Sequence, residues 1–185
     1  MRSWWLLLLA AGMLLGTAAS AFCDNLFQNA DFKEGTQGWH GDGRAVFLRP
    51  DGTEGSETDP GVIPVLRLAL AKGHPLSVYQ TIRSKDAIGK LNLSVQVYAS
   101  IDFKRSTHAS DYELQDEFTM PVVDFMIRLV GGGDFGEWDS QLKAEQWVTV
   151  NGALSVSNTT DEHSLYFVVP PGEGYVYIKN PALKP

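Results

Sequence analysis

Apolar and polar residues alternate with period two along most of the chain, and no stretch shows the i, i+3, i+4, i+7 recurrence of a long amphipathic helix. The clearest run covers residues 90–101. Leu91, Leu93, Val95, Val97, Ala99 and Ile101 fall on one face, and Asn92, Ser94, Gln96, Tyr98 and Ser100 on the other. Such a strand turns one face to a core and the other to water. Comparable runs occupy residues 45–48, 62–70, 76–82, 122–130, 147–156, 165–169 and 175–178. With an opening strand inside residues 25–39, the pattern predicts eight to nine strands, the complement of a jelly-roll sandwich. The expected fold class is therefore all-β: a single jelly-roll β-sandwich of two antiparallel sheets.

Gly and Pro punctuate the joins. Lys72-Gly73-His74-Pro75 separates two strands at hairpin-like spacing, and Pro170-Pro171-Gly172-Glu173-Gly174 separates the last two. Three connections exceed what a turn needs: residues 51–61, 102–121 and 131–142. Long loops on a rigid sandwich are where binding usually sits. No repeat or low-complexity segment divides the chain.

The first residues change the picture of compartment. Arg2 precedes an apolar run over residues 4–15, followed by small residues that end in Ala19-Ser20-Ala21. This reads as a signal peptide at residues 1–21, cleaved after Ala21, with one domain at residues 22–185, and it predicts a secreted or periplasmic protein. A retained membrane anchor is the alternative, against which the shortness of the run and its small-residue exit both count. Removing Arg2 takes the formal net charge from -7 to -8, and an acidic surface repels nucleic acid and anionic lipid, so neither nucleic acid nor membrane is an expected partner. The lone cysteine, Cys23, leaves no intramolecular disulfide to form. It is a terminal free thiol or, on a lipoprotein reading that bulky Phe22 disfavours, an acylated residue.

The opening reads Asn25-Leu26-Phe27, Asn29, Asp31-Phe32 and Gly38-Trp39. Val78-Tyr79-Gln80-Thr81-Ile82, Gly89 before Leu91, Gln146-Trp147-Val148-Thr149 before Gly152, and Gly174-Tyr175-Val176-Tyr177-Ile178 follow in order. This ordered set resembles the galactose-binding-like jelly-roll carbohydrate-binding modules of the CBM4/9/22 type, over nearly the whole chain that follows the leader. The resemblance implies non-catalytic binding of a glycan. Many of its members hold a structural calcium between a glutamate of the opening motif and an aspartate of the closing strand. Lys33 and Lys179-Asn180 stand at those positions here. Ammonium groups oppose a hard dication that wants six to eight oxygens, so no calcium, and no other cofactor, is expected. Read without the family, Phe27 and Phe32 anchor a terminal strand and Trp39 plugs one end of the core.

Sugars are held by stacking on aromatic rings and by hydrogen bonds from planar polar groups. The polar face of residues 90–101 offers Gln96 and Tyr98, and that of residues 122–129 offers Asp124, Met126 and Arg128. Tyr166 joins them by the same alternation. If these strands share a sheet, Tyr98, Asp124 and Arg128 line a shallow groove; a solvated face with a paired Asp and Arg is the alternative. Tyr112, Phe118, Phe135 and Trp138 lie in the predicted loops, where they either cover the sandwich ends or present a protein-binding tip. No catalytic constellation stands out. Asp134, Glu137 and Asp139 are close together without a glycosidase spacing, and the four histidines, His40, His74, His108 and His163, lack ligand spacing. The expected function is non-enzymatic glycan binding, with protein–protein interaction on the same fold as the alternative.

Overall fold

The computed structural model describes residues 25–83, 89–112, 120–131, 134–156 and 162–185, with the side chains of 109, 134 and 135 excepted. The leader, Cys23 and Phe118 lie outside the described residues. One sheet runs in the order β1 (His40–Gly41), β5 (Leu76–Arg83), β11 (Glu162–Val169), β8 (Phe125–Gly131), β9 (Asp134–Ser140). The other runs β10 (Trp147–Val156), β6 (Gly89–Ala99), β13 (Tyr175–Lys184), β4 (Ile63–Ala69), β2 (Arg44–Leu48), β3 (Glu54–Gly55). Every ladder is antiparallel. A two-residue ladder between β7 (Lys104–Arg105) and β12 (Gly172–Glu173) closes one end.

The alternation read from the sequence decides what fills the space between the sheets. Leu66, Leu68, Leu91, Leu93, Val95, Val97, Val176 and Ile178 point inward from the six-stranded sheet. Phe125, Ile127, Leu129, Leu165, Phe167 and Val169 meet them from the five-stranded one. Burial of such side chains, each contributing about 1.5–3 kcal/mol, is what holds the sandwich together. Ile101 departs from the expectation: β6 ends at Ala99, the chain turns, and Ile101 is left 74% exposed.

Two further expectations change. Residues 131–142 are not a loop but contain β9, which forms a hairpin with β8 in register from Phe125↔Ser140 to Gly131↔Asp134. Its Trp138 turns inward and closes the open side of the sandwich. A Cβ placed on Gly152 of β10 would stand 2.9 Å from the indole, so that glycine makes room for the ring. Residues 25–39, conversely, are a series of turns rather than a strand. Phe27, Phe32 and Trp39 still plug the core end: Trp39 stacks on Phe27 at 5.3 Å and on Phe167 at 5.7 Å.

Side-chain amides, not a ladder, fix this opening segment. The Asn25 Oδ1 accepts from the backbone N–H of Leu183 (2.9 Å) and Phe27 (3.2 Å), while its Nδ2 donates to the Pro181 carbonyl (2.8 Å). The segment is thereby clasped to β13, at the bulge where its register with β6 shifts between Lys179 and Ala182. Asn29, at φ 45°, donates to the Gly35 and Gln37 carbonyls and accepts from Glu34 N–H.

Candidate ligand-binding face

The outer face of the five-stranded sheet carries a row of side chains at one level across all five strands. The register pairs His40 with Tyr79, Tyr79 with Tyr166, Tyr166 with Arg128 and Arg128 with Glu137. Side chains directly opposite across antiparallel strands share a face and touch. The His40 and Tyr79 rings lie 5.3 Å apart, Tyr79 and Tyr166 4.7 Å, and Arg128 Nη2 reaches Glu137 Oε2 at 3.3 Å. Four inter-strand steps of about 4.8 Å make this row about 19 Å long. Tyr79 and Tyr166 are half-buried, with His40 and Glu137 exposed at the two ends.

One side of the row is walled. Tyr112 and Met120 are buried on Met126 and Val168, with Val123 and Tyr166 packed against them. Met126 and Val168 occupy the next outward level of β8 and β11. The wall is braced by the Tyr112 hydroxyl donating to the Ser106 carbonyl (2.7 Å) and by Met120 N–H donating to Tyr112 O (2.8 Å). Burial pushes the Tyr112 phenol up, so it remains a donor. On the other side of the row, Thr81 and Ser164 hydroxyls meet at 3.1 Å. The result is an aromatic floor with a guanidinium–carboxylate pair at one end, hydroxyls along one edge and an apolar wall along the other.

The expected site residues divide between two faces. Arg128 and Tyr166 are brought together as direct cross-strand partners in this row. Tyr98 and Gln96 are not with them, because β6 belongs to the six-stranded sheet and faces away on the opposite side of the sandwich. The anticipated groove of Tyr98, Asp124 and Arg128 therefore does not form. Asp124, 8% exposed, is a brace: its Oδ1 accepts from Arg105 Nη1 and its Oδ2 from Leu142 N–H, both at 2.9 Å. Gln96 accepts from Asn180 Nδ2 at 3.3 Å. Tyr79 and His40 were missed as partners of Tyr166, although alternation within residues 76–82 already turns Ser77, Tyr79 and Thr81 outward. Glu137, weighed with Asp134 and Asp139 as a carboxylate group, is the ion-pair partner of Arg128. Asp139 stands two residues on, level with Met126. Of the loop aromatics, Tyr112 covers the sheet and Trp138 lies inside it.

At the junction of the opening segment and the closing strand, where the resemblance implied calcium, the side chains are committed to other partners. Lys33 Nζ pairs with Asp31 Oδ2 at 2.8 Å, and that contact lowers the Asp31 carboxyl below its ordinary range. Lys179 Nζ instead lies 3.7 Å from the Trp147 ring centroid, and Asn180 is turned to Gln96. The Asn25 amide between the two segments bonds three backbone groups. This donor set, one committed amide beside lysines, does not fit a hard dication. Among the described residues no three His, Cys, Asp or Glu side chains are grouped so as to hold a metal ion.

No family model and no curated protein sequence matches the chain. Solved structures do. A family 61 carbohydrate-binding module in complex with beta-1,4-galactotriose superposes with TM-score 0.54 at 13% identity, over 86% of this chain and 97% of that one. A family 16 carbohydrate-binding module gives 0.57 at 12%, over 87% and 100%. The CBM22-1 xylan-binding domain of Xyn10C from Paenibacillus barcinonensis gives 0.55 at 14%, over 87% and 94%. The fold is the jelly-roll β-sandwich that these modules share. Identity this low carries the architecture and no residue roles, so the function of the module-like sandwich rests on its own surfaces.

Proposed function

We propose that this chain is an exported, non-catalytic glycan-binding protein that seats an extended saccharide across the outer face of its five-stranded sheet. The row His40–Tyr79–Tyr166–Arg128–Glu137 supports the reading. Tyr79 and Tyr166 supply adjoining rings for the C–H faces of successive sugar units, a contact worth about 0.5–1.5 kcal/mol beyond burial for aromatic pairs. Glu137, held in place by the buried Arg128, supplies an acceptor for hydroxyls, and the Tyr112–Met120 wall orients the chain along the row. A floor of this length suits an oligosaccharide better than a single sugar. The neighbouring solved structures include modules whose names state a galactotriose complex and xylan binding, which agrees with a saccharide ligand and leaves its identity to experiment. A glycan array followed by calorimetric titration with soluble polysaccharides tests the proposal. Binding to at least one polysaccharide, weakened about tenfold in each of Tyr79→Ala and Tyr166→Ala, is expected; no binding across the array, or binding untouched by both substitutions, rejects it.

A further inference from the structure

The two large sheets end in four edge strands, β1, β9, β10 and β3, and three of them are blunted. β1 and β3 are two residues long. The β3 edge is also capped, because Arg49 Nη1 donates to the Glu54 carbonyl (2.8 Å) and Asp59 Oδ2 accepts from Ser56 N–H (3.0 Å). β9 is seven residues long and carries Asp134, Glu137 and Asp139. Short length, occupied backbone groups and charge are the means by which edge strands avoid pairing with other chains.

β10 has none of these protections. It runs ten residues, Trp147 to Val156, without a charge or a proline. Its ladder with β6 is unbroken from Trp147↔Tyr98 to Val156↔Gly89, so no bulge bends the edge away. In an antiparallel strand alternate residues aim their N–H and C=O groups to opposite sides, so about half of the β10 backbone points away from β6. Among the described residues β10 has no second ladder and no other backbone hydrogen bond on that side. The side chains leave the edge open: Thr149, Asn151, Ala153 and Ser155 are short and exposed on the outer face, while Val150, Leu154 and Val156 stay in the core.

We propose that β10 pairs antiparallel with β10 of a second copy of this chain, joining the two six-stranded sheets edge to edge. A second copy is the occupant this strand fits. In a twofold contact a strand faces itself, so a charge near the axis meets its own like; β10 carries none, whereas β9 would set acid against acid. Each copy offers one such edge among the described residues, so assembly closes at two. Antiparallel neighbours in one sheet are related by a twofold axis normal to that sheet. Both copies therefore lie the same way up, with the outer faces of their five-stranded sheets on one side. On the function proposed above, the dimer presents two saccharide rows to one polysaccharide; the pairing itself does not rest on that reading.

Sedimentation velocity of the protein from about 1 to 500 μM, with amide hydrogen exchange at both ends of that range, provides the test. Expected are monomer at the low end, dimer at the high end and nothing larger. Amides of β10 should exchange at least about tenfold more slowly in the dimer, while those of β1, at the far edge of the other sheet, stay unchanged. Asn151→Lys with Ala153→Lys sets like charges beside the axis at exposed positions and should weaken dimerisation at least about tenfold; the neutral pair Asn151→Gln with Ala153→Ser keeps it. Thermal melts at the low end verify that both variants fold. Tyr79→Ala dimerises as the wild type does, whatever becomes of its glycan binding. A monomer at every concentration, β10 amides already protected at the lowest one, a dimer without added β10 protection, indifference to the lysines, or larger species each overturns the proposal.

Discussion

Replacing Asn25 by alanine removes the three hydrogen bonds that clasp the opening segment to the last strand: from Leu183 N–H, from Phe27 N–H and to the Pro181 carbonyl. At about 1 kcal/mol net for each, and with the partly buried Leu183 N–H left to find a new acceptor, the loss comes to about 3 kcal/mol. For a domain of this size 1 kcal/mol corresponds to roughly 2–4 °C, so the melting temperature falls by about 6–12 °C. Asn25→Asp keeps the two accepting bonds, loses the donor and sets a negative charge against the Pro181 carbonyl; it should cost about half as much as alanine. Urea unfolding of the three proteins, each with a chelator and with added calcium, measures both the amide's worth and its independence of metal. A cost below about 1 kcal/mol for Asn25→Ala refutes the clasp, and a wild-type stability that falls with chelator refutes the claim that amides suffice at this junction.

Other expectations follow from the same packing. Trp138→Ala empties the space over Gly152 and should cost about 3 kcal/mol in urea unfolding, near the lower end for a large aromatic because Trp138 is half-buried. Gly152→Val drives a side chain into that ring and should destabilise the fold by a comparable amount on the same assay. The Tyr177 phenol is pushed far above its ordinary range by burial and then by Glu54, so the native state holds its proton where the unfolded chain, titrating near pH 10, releases it. Stability is therefore intact below about pH 10 and falls as pH rises beyond it, and Tyr177→Phe should flatten that fall in melts taken from pH 9 to 11. Gly52→Ala forces a Cβ onto the Tyr98 oxygen at a backbone angle that alanine resists; it should displace the loop around Gly52 and change the Tyr98 ring signals in an NMR spectrum while leaving those of Tyr166 in place.

The inside of the sandwich was legible because a period of two is a local property. Leu91 to Ala99, Phe125 to Leu129 and Leu165 to Val169 each declare their buried face with no knowledge of partners. Which sheet a strand joins is not local. The chain crosses between sheets after β6, so Tyr98 on β6 and Arg128 on β8, both outward, look away from each other. β9 was hidden for a related reason: Gly136 and the glycines that precede it read as a loop, yet Gly136 exists to pass under Trp138. At residues 25–39 the motif correctly predicts the aromatic plug, while Asn29 and Phe32 at positive φ rule out a strand. The outer-face row was half visible, in Arg128 and Tyr166. Tyr79 and His40 complete it only through pairings 87 and 39 residues apart along the sequence, read from the register of Tyr166 with Tyr79 and of Tyr79 with His40.

The most direct measurement is a calorimetric titration of the wild type, Tyr79→Ala, Tyr166→Ala and the doubly substituted protein with the polysaccharide that a glycan array selects. The account predicts saturable binding in the wild type, a loss of about tenfold for either single substitution, at about 1.4 kcal/mol per ring, and none detectable for the pair. Binding that survives in the doubly substituted protein, or no binding to any glycan, contradicts it.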